Sequence, residues 1–243
     1  MSQKPMRPEA LEKVVGGAHL PGTNGSDFAI GTDAPDSMPL GDGNDYAEGR
    51  GGNDYIEAGA GNDEVYGDAG DDAIVAGAGS DFAAGGAGND YIEGGDGNDV
   101  ILGDAGTDAL TGGAGDDTVI GGDGVDHMQG DAGNDNLIGG FNDRATDTAF
   151  GGEGDDTFVW SPGGGNDYFD GGSGGDTLSI PGVSLSQFQQ GLQLHTPGLE
   201  MLQNSAGGVV FVNAQGQPQP FSGQLTIGGE TLRFDNVERI QLG

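Results

Sequence analysis

The chain places aspartates on a fixed beat. In the stretch "GAGNDEVYGDAGDDAIV" at 59–75, Asp63 and Asp72 lie nine residues apart, each two residues before an apolar Val65 or Ile74, with no Lys or Arg nearby. Divided into nines from Gly22, the sequence runs through thirteen units without a gap to Ile138. The sixth position of each unit is aspartate: Asp27, Asp36, Asp45, Asp54, Asp63, Asp72, Asp81, Asp90, Asp99, Asp108, Asp117, Asp126 and Asp135. Three extra residues around "FNDRATD" interrupt the beat. It resumes at Asp147 and Asp156, skips two residues near Trp160, and returns at Asp167 and Asp176. Carboxylates and backbone carbonyls, with no His or Cys in register, form a hard oxygen donor set. Such a set selects Ca²⁺ or Mg²⁺. Calcium accepts six to eight oxygens in loose geometry, which Gly-rich turns can supply, so it is the favoured ion.

The rest of the unit shows how these carboxylates are carried. The fourth position is glycine in every unit but one, where Ala34 stands, and the eighth is always apolar. Residues one to six, such as "GGAGND" at 85–90, are turn chemistry, because Gly tolerates positive φ and Asn and Asp tolerate it better than most. Residues seven to nine, such as "YIE" at 91–93, alternate outward, inward, outward, as in a very short half-buried strand. A three-residue strand cannot stand alone, but stacked on copies of itself at ~4.8 Å it satisfies its backbone and buries its eighth side chain. Two units make one flattened coil of eighteen residues, so odd and even units form two facing parallel sheets, and thirteen units give six to seven coils. A flexible, solvated Gly/Asp spacer is the alternative. It has no need of an apolar eighth position.

Composition makes the demand for cations explicit. The 243 residues include 40 Asp and Glu against 7 Lys and Arg, a formal charge of −33, and 54 glycines. High charge with low hydrophobicity normally reads as disorder. The core is one apolar side chain per strand, several of them only alanine (Ala29, Ala47, Ala83). Stacking sets same-side aspartates about 5 Å apart, which costs roughly 0.8 kcal/mol per neighbouring pair in bulk water and ~3 kcal/mol at an effective dielectric of 20. Metal ions between same-side stacked turns, each shared by two aspartates, reverse that sign. So acidic a surface repels nucleic acid and anionic membrane. No apolar run reaches a membrane span, and the N-terminus lacks the apolar segment of a secretory signal peptide.

These units resemble the RTX (repeats-in-toxin, hemolysin-type) nonapeptide G-G-x-G-x-D-x-U-x, with U apolar, a motif already recognised as a calcium-binding β-helix signature. "GGAGNDYIE" (85–93) and "GGDGNDVIL" (94–102) match in full; "LGDGNDYAE" (40–48) and "AGAGSDFAA" (76–84) match with one or two departures. The resemblance implies an all-β fold, a right-handed parallel β-roll or β-helix solenoid with a small β-rich C-terminal cap. It implies Ca²⁺ held by the sixth-position aspartates above, with Asp156, Asp167 and Asp176. Turn carbonyls join them, including those of Gly43, Gly52, Gly61, Gly70, Gly79, Gly88, Gly97, Gly106, Gly115, Gly124 and Gly133. "GTDAPDSMP" (31–39), with Ala34 and two prolines, and the interrupted unit at Asp147 depart from the pattern, which puts their sites in doubt. The resemblance also implies export by type I secretion machinery, folding outside the cell where calcium is abundant, and an extracellular location.

The ends differ. Residues 1–21 form an N-terminal segment in which "PEALEKVVGGA" (8–18) predicts a short amphipathic helix, read as a cap or as a double-glycine leader ending at Gly16–Gly17. Residues 22–179 are the roll. Residues 180–243 abandon the repeat, and "VVFVN" (209–213), "QLTIG" (224–228) and "TLRFDNVERIQLG" predict short strands that cap the open end. "LRFDNVERI" also resembles segments near RTX secretion signals. "GGSGG" (171–175) satisfies a hydrolase-elbow expression, but Ser173 is a repeat's variable third position without strand–helix context or a base. His19, His127 and His195 are scattered, and no H-E-x-x-H occurs. No region outside the repeat is long enough for a separate catalytic domain. A non-catalytic calcium-binding protein is therefore the expectation. The alternatives are a calcium-dependent adhesin or carbohydrate-binding surface using the seventh-position aromatics Phe28, Tyr46, Tyr55, Phe82 and Tyr91, or an accessory module of a secreted enzyme.

Overall fold

The computed structural model describes residues 11–13, 19, 21–203 and 208–243. Among these, the strands form two sheets, of 13 and 11 strands, and successive repeat strands alternate between them. Every repeat pairing is parallel and offset by one coil. Phe28 lies beside Tyr46 and Tyr46 beside Glu64 in one sheet; Ser37 lies beside Tyr55 and Tyr55 beside Ala73 in the other. The result is a parallel β-solenoid of about 8 turns, the β-roll expected of the repeat.

The two interruptions of the pattern, of three and two residues, are absorbed within their turns, since the register resumes beyond them: Met128 pairs with Ala149 and Ala149 with Phe169. The eighth-position side chains face each other as two buried columns. One runs Ala29, Ala47, Val65, Ala83, Ile101, Val119, Leu137, Phe158, Leu178, and the other Met38, Ile56, Ile74, Ile92, Leu110, Met128, Ala149, Phe169. The core thickens towards the C-terminus. Phe158 and Phe169 stack face to face across the roll with centroids 5.2 Å apart, and Trp160, Phe188, Phe211, Phe221 and Phe234 join the same cluster.

The C-terminal region contains the expected strands, Gly208–Val212, Phe221–Ile227, Glu230–Val237 and Arg239–Leu242. The last two do more than cover the end. Glu230–Val237 pairs parallel with Tyr168–Ser173, and Arg239–Leu242 pairs parallel with Thr177–Ile180, so the chain returns to add one further rung to both sheets. The intervening residues extend both sheets further with antiparallel strands, Phe221–Ile227 and Leu192–Leu194 beyond Glu230–Val237, and Gly208–Val212 and Glu200–Gln203 beyond Arg239–Leu242. They include a helix, Leu185–Gly191, closed by a capping box in which Ser184 and Gln187 exchange bonds. The S-x-x-Q spacing of Ser184 and Gln187 is the sequence signature of this box.

At the N-terminus the helix expected over 8–18 is corrected in part. Leu11–Lys13 is a strand paired parallel with Phe28–Ile30, because the open edge of the first repeat strand offers unpaired N–H and C=O groups that outweigh the helix propensity of Leu, Glu and Lys. The remainder of that stretch, with Gly16–Gly17, lies outside the described residues. No helix among the described residues is long and apolar enough to cross a membrane.

Candidate metal centre

Each coil presents its sixth-position aspartate at the end of a tight turn, immediately before the next strand. Stacking gathers these residues into two columns. One runs from Asp27 through Asp45, Asp63, Asp81, Asp99, Asp117, Asp135 and Asp156 to Asp176; the other runs from Asp36 through Asp54, Asp72, Asp90, Asp108, Asp126 and Asp147 to Asp167. A single bond repeats along both: the backbone N–H of each aspartate donates to Oδ1 of the aspartate one coil later. Examples are Asp45 to Asp63 at 2.7 Å, Asp72 to Asp90 at 2.8 Å and Asp135 to Asp156 at 2.8 Å. A second bond runs the other way on the outside of the turn. There the fifth-position side chain accepts the N–H of the fifth residue one coil later, as Asn62 does from Ser80 and Asp71 from Asn89.

The second carboxylate oxygen is left without a partner. Asp45, Asp54, Asp63, Asp72, Asp81, Asp90, Asp99, Asp108, Asp117, Asp126, Asp135, Asp147, Asp156 and Asp176 each have a buried Oδ2 that no protein donor reaches. The residues carrying them are 0–4% exposed. Buried anionic oxygens with no donor are costly, and their repetition in register points to a counter-ion. Their surroundings supply further oxygens. A Cβ built on Gly67 would fall against Asp72 Oδ2 and lie 2.7 Å from the carbonyl oxygen of Gly85, so carboxylate and carbonyl oxygens converge on space that only a glycine leaves open. Side chains alone do not form a cage: among the described residues no three His, Asp or Glu converge on one point. Paired carboxylates completed by carbonyl oxygens are the donor set of a hard divalent cation.

Electrostatics agree. Burial is the main cause raising these carboxyls, the N–H bond from the preceding coil opposes it, and neighbouring carboxylates add to it. Asp54, Asp81 and Asp90 are pushed up to about 6, Asp108, Asp117 and Asp156 to about 7, and Asp147 to about 8. The exposed fifth-position Asp71 and Asp116 are instead lowered by the N–H bonds of Asn89 and Asn134.

The residues expected from the sequence are brought together as described, with differences at the ends. Asp27 and Asp36 head their columns, but their Oδ2 atoms accept bonds from Thr23 and Thr32, each from a backbone N–H at 2.6 Å and a hydroxyl at 3.0 Å. These two turns satisfy themselves. Asp167 closes its column, 3% exposed. The named fourth-position glycines all adopt positive φ. At Gly61 the need is steric as well, since a Cβ there would overlap Gly43 O.

Three differences concern individual acids. Asp147, in doubt because of the three-residue insertion, takes a full place in its column, accepting from Asp126 N at 3.0 Å. The insertion carries Asp143, which accepts from Gly124 N and adds its charge to Asp126, Asp147 and Asp167. Second-position acids also crowd the turns: Asp68 raises Asp54 and Asp72, and Asp104 raises Asp90 and Asp108.

Ser173 lies on the strand Tyr168–Ser173, its hydroxyl on Gly152 O, and His127 packs edge-on to Phe150 on the outer face.

Residues 21–56, 39–74, 48–83, 75–110, 111–145, 141–159 and 163–178 match the RTX calcium-binding nonapeptide repeat (4 copies). No curated protein matches the chain.

Proposed function

The chain belongs to the family built on the RTX calcium-binding nonapeptide repeat, and from that premise we propose that it is a secreted, non-catalytic protein whose roll folds on taking up calcium. The repeats bind Ca²⁺. In our reading the ions lie between same-side stacked turns, about one to each pair. They are held by the sixth-position aspartates from Asp45 to Asp176, Asp147 included, and by turn carbonyls such as those of the fourth-position glycines. The observation that carries this reading is the register of orphaned, buried Oδ2 atoms along both columns. Bound calcium supplies the positive charge that these carboxylates lack. Without it, self-repulsion keeps the chain open, a state suited to passage through type I secretion machinery from a calcium-poor cytoplasm. Binding free energy then becomes folding free energy outside. Extracellular calcium modules bind at about 10⁻⁴–10⁻³ M.

A second reading adds a partner surface. On one outer face Phe28 stacks on Tyr46 at 4.8 Å, Tyr46 meets Tyr66 at 5.8 Å, and Tyr66 meets Phe82 at 5.5 Å. This continuous aromatic row favours a calcium-dependent glycan- or protein-binding face. Circular dichroism during a calcium titration, with magnesium as control, tests the first reading. A coil-to-β transition driven by calcium and reversed by chelator is expected, and an equal response to magnesium would overturn the choice of ion. A glycan-array screen in calcium tests the second.

A further inference from the structure

The nonapeptide ends at Asp176, but the column of carboxylates does not. The next rung is built by Glu230–Val237 and Arg239–Leu242. Glu238, between them, stands one coil beyond Asp176. Its Oε2 accepts the Asp176 N–H at 2.7 Å, the bond that Asp176 Oδ1 makes with the Asp156 N–H at 2.9 Å. The Arg239 N–H donates to the Asp176 carbonyl at 2.9 Å, as the Thr177 N–H does to the Asp156 carbonyl at 2.7 Å. The carbonyl side of the arrangement is reproduced too. A Cβ on Gly151 would fall against Asp156 Oδ2 and Gly171 O; one coil later, a Cβ on Gly171 would fall against Asp176 Oδ2 and Asn236 O. Asn236 therefore supplies a carbonyl where the repeat supplies that of its first glycine. Asp176 is 0% exposed and its Oδ2, aimed at this point, has no partner. The opposite column has no such continuation. The place beyond Asp167 is taken by Leu232, which is fully buried, with the following Arg233 N–H on the Asp167 carbonyl at 2.8 Å.

We infer that Asp176, the Asn236 carbonyl and Glu238 form a divalent-cation site outside the nonapeptide motif, which fastens the C-terminal strands to the roll. It rests on the calcium reading above. The two carboxylates are 62 residues apart in sequence, so occupation closes a loop that contains all of the cap but its last strand and offsets its closure entropy. Glu238 sits in the junction between the two strands, where Val237 and Arg239 on either side are fixed in the sheets, and its longer side chain spans what the repeat spans with Asp.

Hydrogen exchange of the full chain, followed by mass spectrometry through a calcium titration, separates the possibilities. Glu238→Gln keeps an oxygen to accept the Asp176 N–H but removes the charge. We expect the calcium midpoint for protection of peptides covering 230–242 to rise about tenfold or more, while peptides from 85–120 keep theirs. Glu238→Asp, which retains a carboxylate, falls between wild type and Gln. An unchanged C-terminal midpoint in Glu238→Gln, or an equal shift in every peptide, would overturn the site. So would loss of C-terminal protection at every calcium concentration in both variants, which marks Glu238 as structural. If calcium fails to protect residues 85–120 of the wild type, the calcium reading itself falls and the site falls with it.

Discussion

The backbone N–H of Asp117 donates to Oδ1 of Asp135 at 2.8 Å, and Oδ2 of the same Asp135 carboxylate is buried with no partner. One oxygen thus serves the fold and the other is held in reserve. Because the motif recurs on every coil, folding and ion binding share the same side chains, and any change in the charge of the column is a change in stability.

Protons compete for the reserved oxygens. An unfolded Asp titrates near 3.8, whereas folded, metal-free Asp54 and Asp90 stand near 6, Asp108 near 7 and Asp147 near 8. Folded carboxyls raised in this way stabilise the metal-free roll fully below pH ~3.8, and that contribution is lost as pH rises through 6 to 8. Far-UV circular dichroism in chelator is expected to show β structure at pH 4 that disappears towards pH 8. In the presence of calcium the dependence inverts, the ion being displaced as pH falls. A calcium midpoint that is the same at pH 5.5 and 7.5 would contradict this.

Position in the turn decides the effect of removing one charge. Asp108→Asn keeps an acceptor for the Asp90 N–H but removes a buried ligand charge, and is expected to raise the calcium midpoint of folding several-fold. Asp71→Asn removes an exposed charge of the outer ladder and leaves the midpoint within about a factor of two. Isothermal titration of both variants distinguishes the roles; equal shifts would mean that only total charge matters.

Glycine is required where oxygens converge. Gly67→Ala drives a methyl against Asp72 Oδ2 and Gly85 O, both held by the stack, and is expected to cost on the order of 1–3 kcal/mol in calcium. Gly182→Ala meets nothing within 4 Å and bears only the cost of its φ of +77°, about 1 kcal/mol. Urea unfolding in saturating calcium measures both, and the reverse order would count against the crowding.

Much of this was legible in the sequence because the period of nine couples turn chemistry to a single inward side chain. Asp63 and Val65 could be placed on a turn and in a core from their spacing alone. The rest depended on contacts between distant segments. Nothing local in "DNVERI" marks Glu238 as an extension of a column begun at Asp27, since that role exists only when Arg239 pairs with Thr177. The strand at Leu11–Lys13 is likewise made by the edge it meets, and Asp147 keeps its place because the insertion is accommodated within its turn, where Asp143 accepts the Gly124 N–H.

The core gradient makes a separate demand. Phe158, buried and stacked on Phe169, anchors the end of the roll where the side chains are largest. Phe158→Ala is expected to cost about 3–5 kcal/mol in calcium. A loss below ~1 kcal/mol by urea unfolding would show that the stack, rather than this cluster, holds that end.

The most direct test of calcium as the missing cation is small-angle X-ray scattering of exhaustively demetallated protein at neutral pH and low ionic strength, before and after calcium is restored. The expected result is a radius of gyration near the ~54 Å of an unfolded chain of this length, falling on calcium addition towards roughly 20 Å as the roll closes. A metal-free chain that is already compact, with its scattering unchanged by calcium, would contradict it.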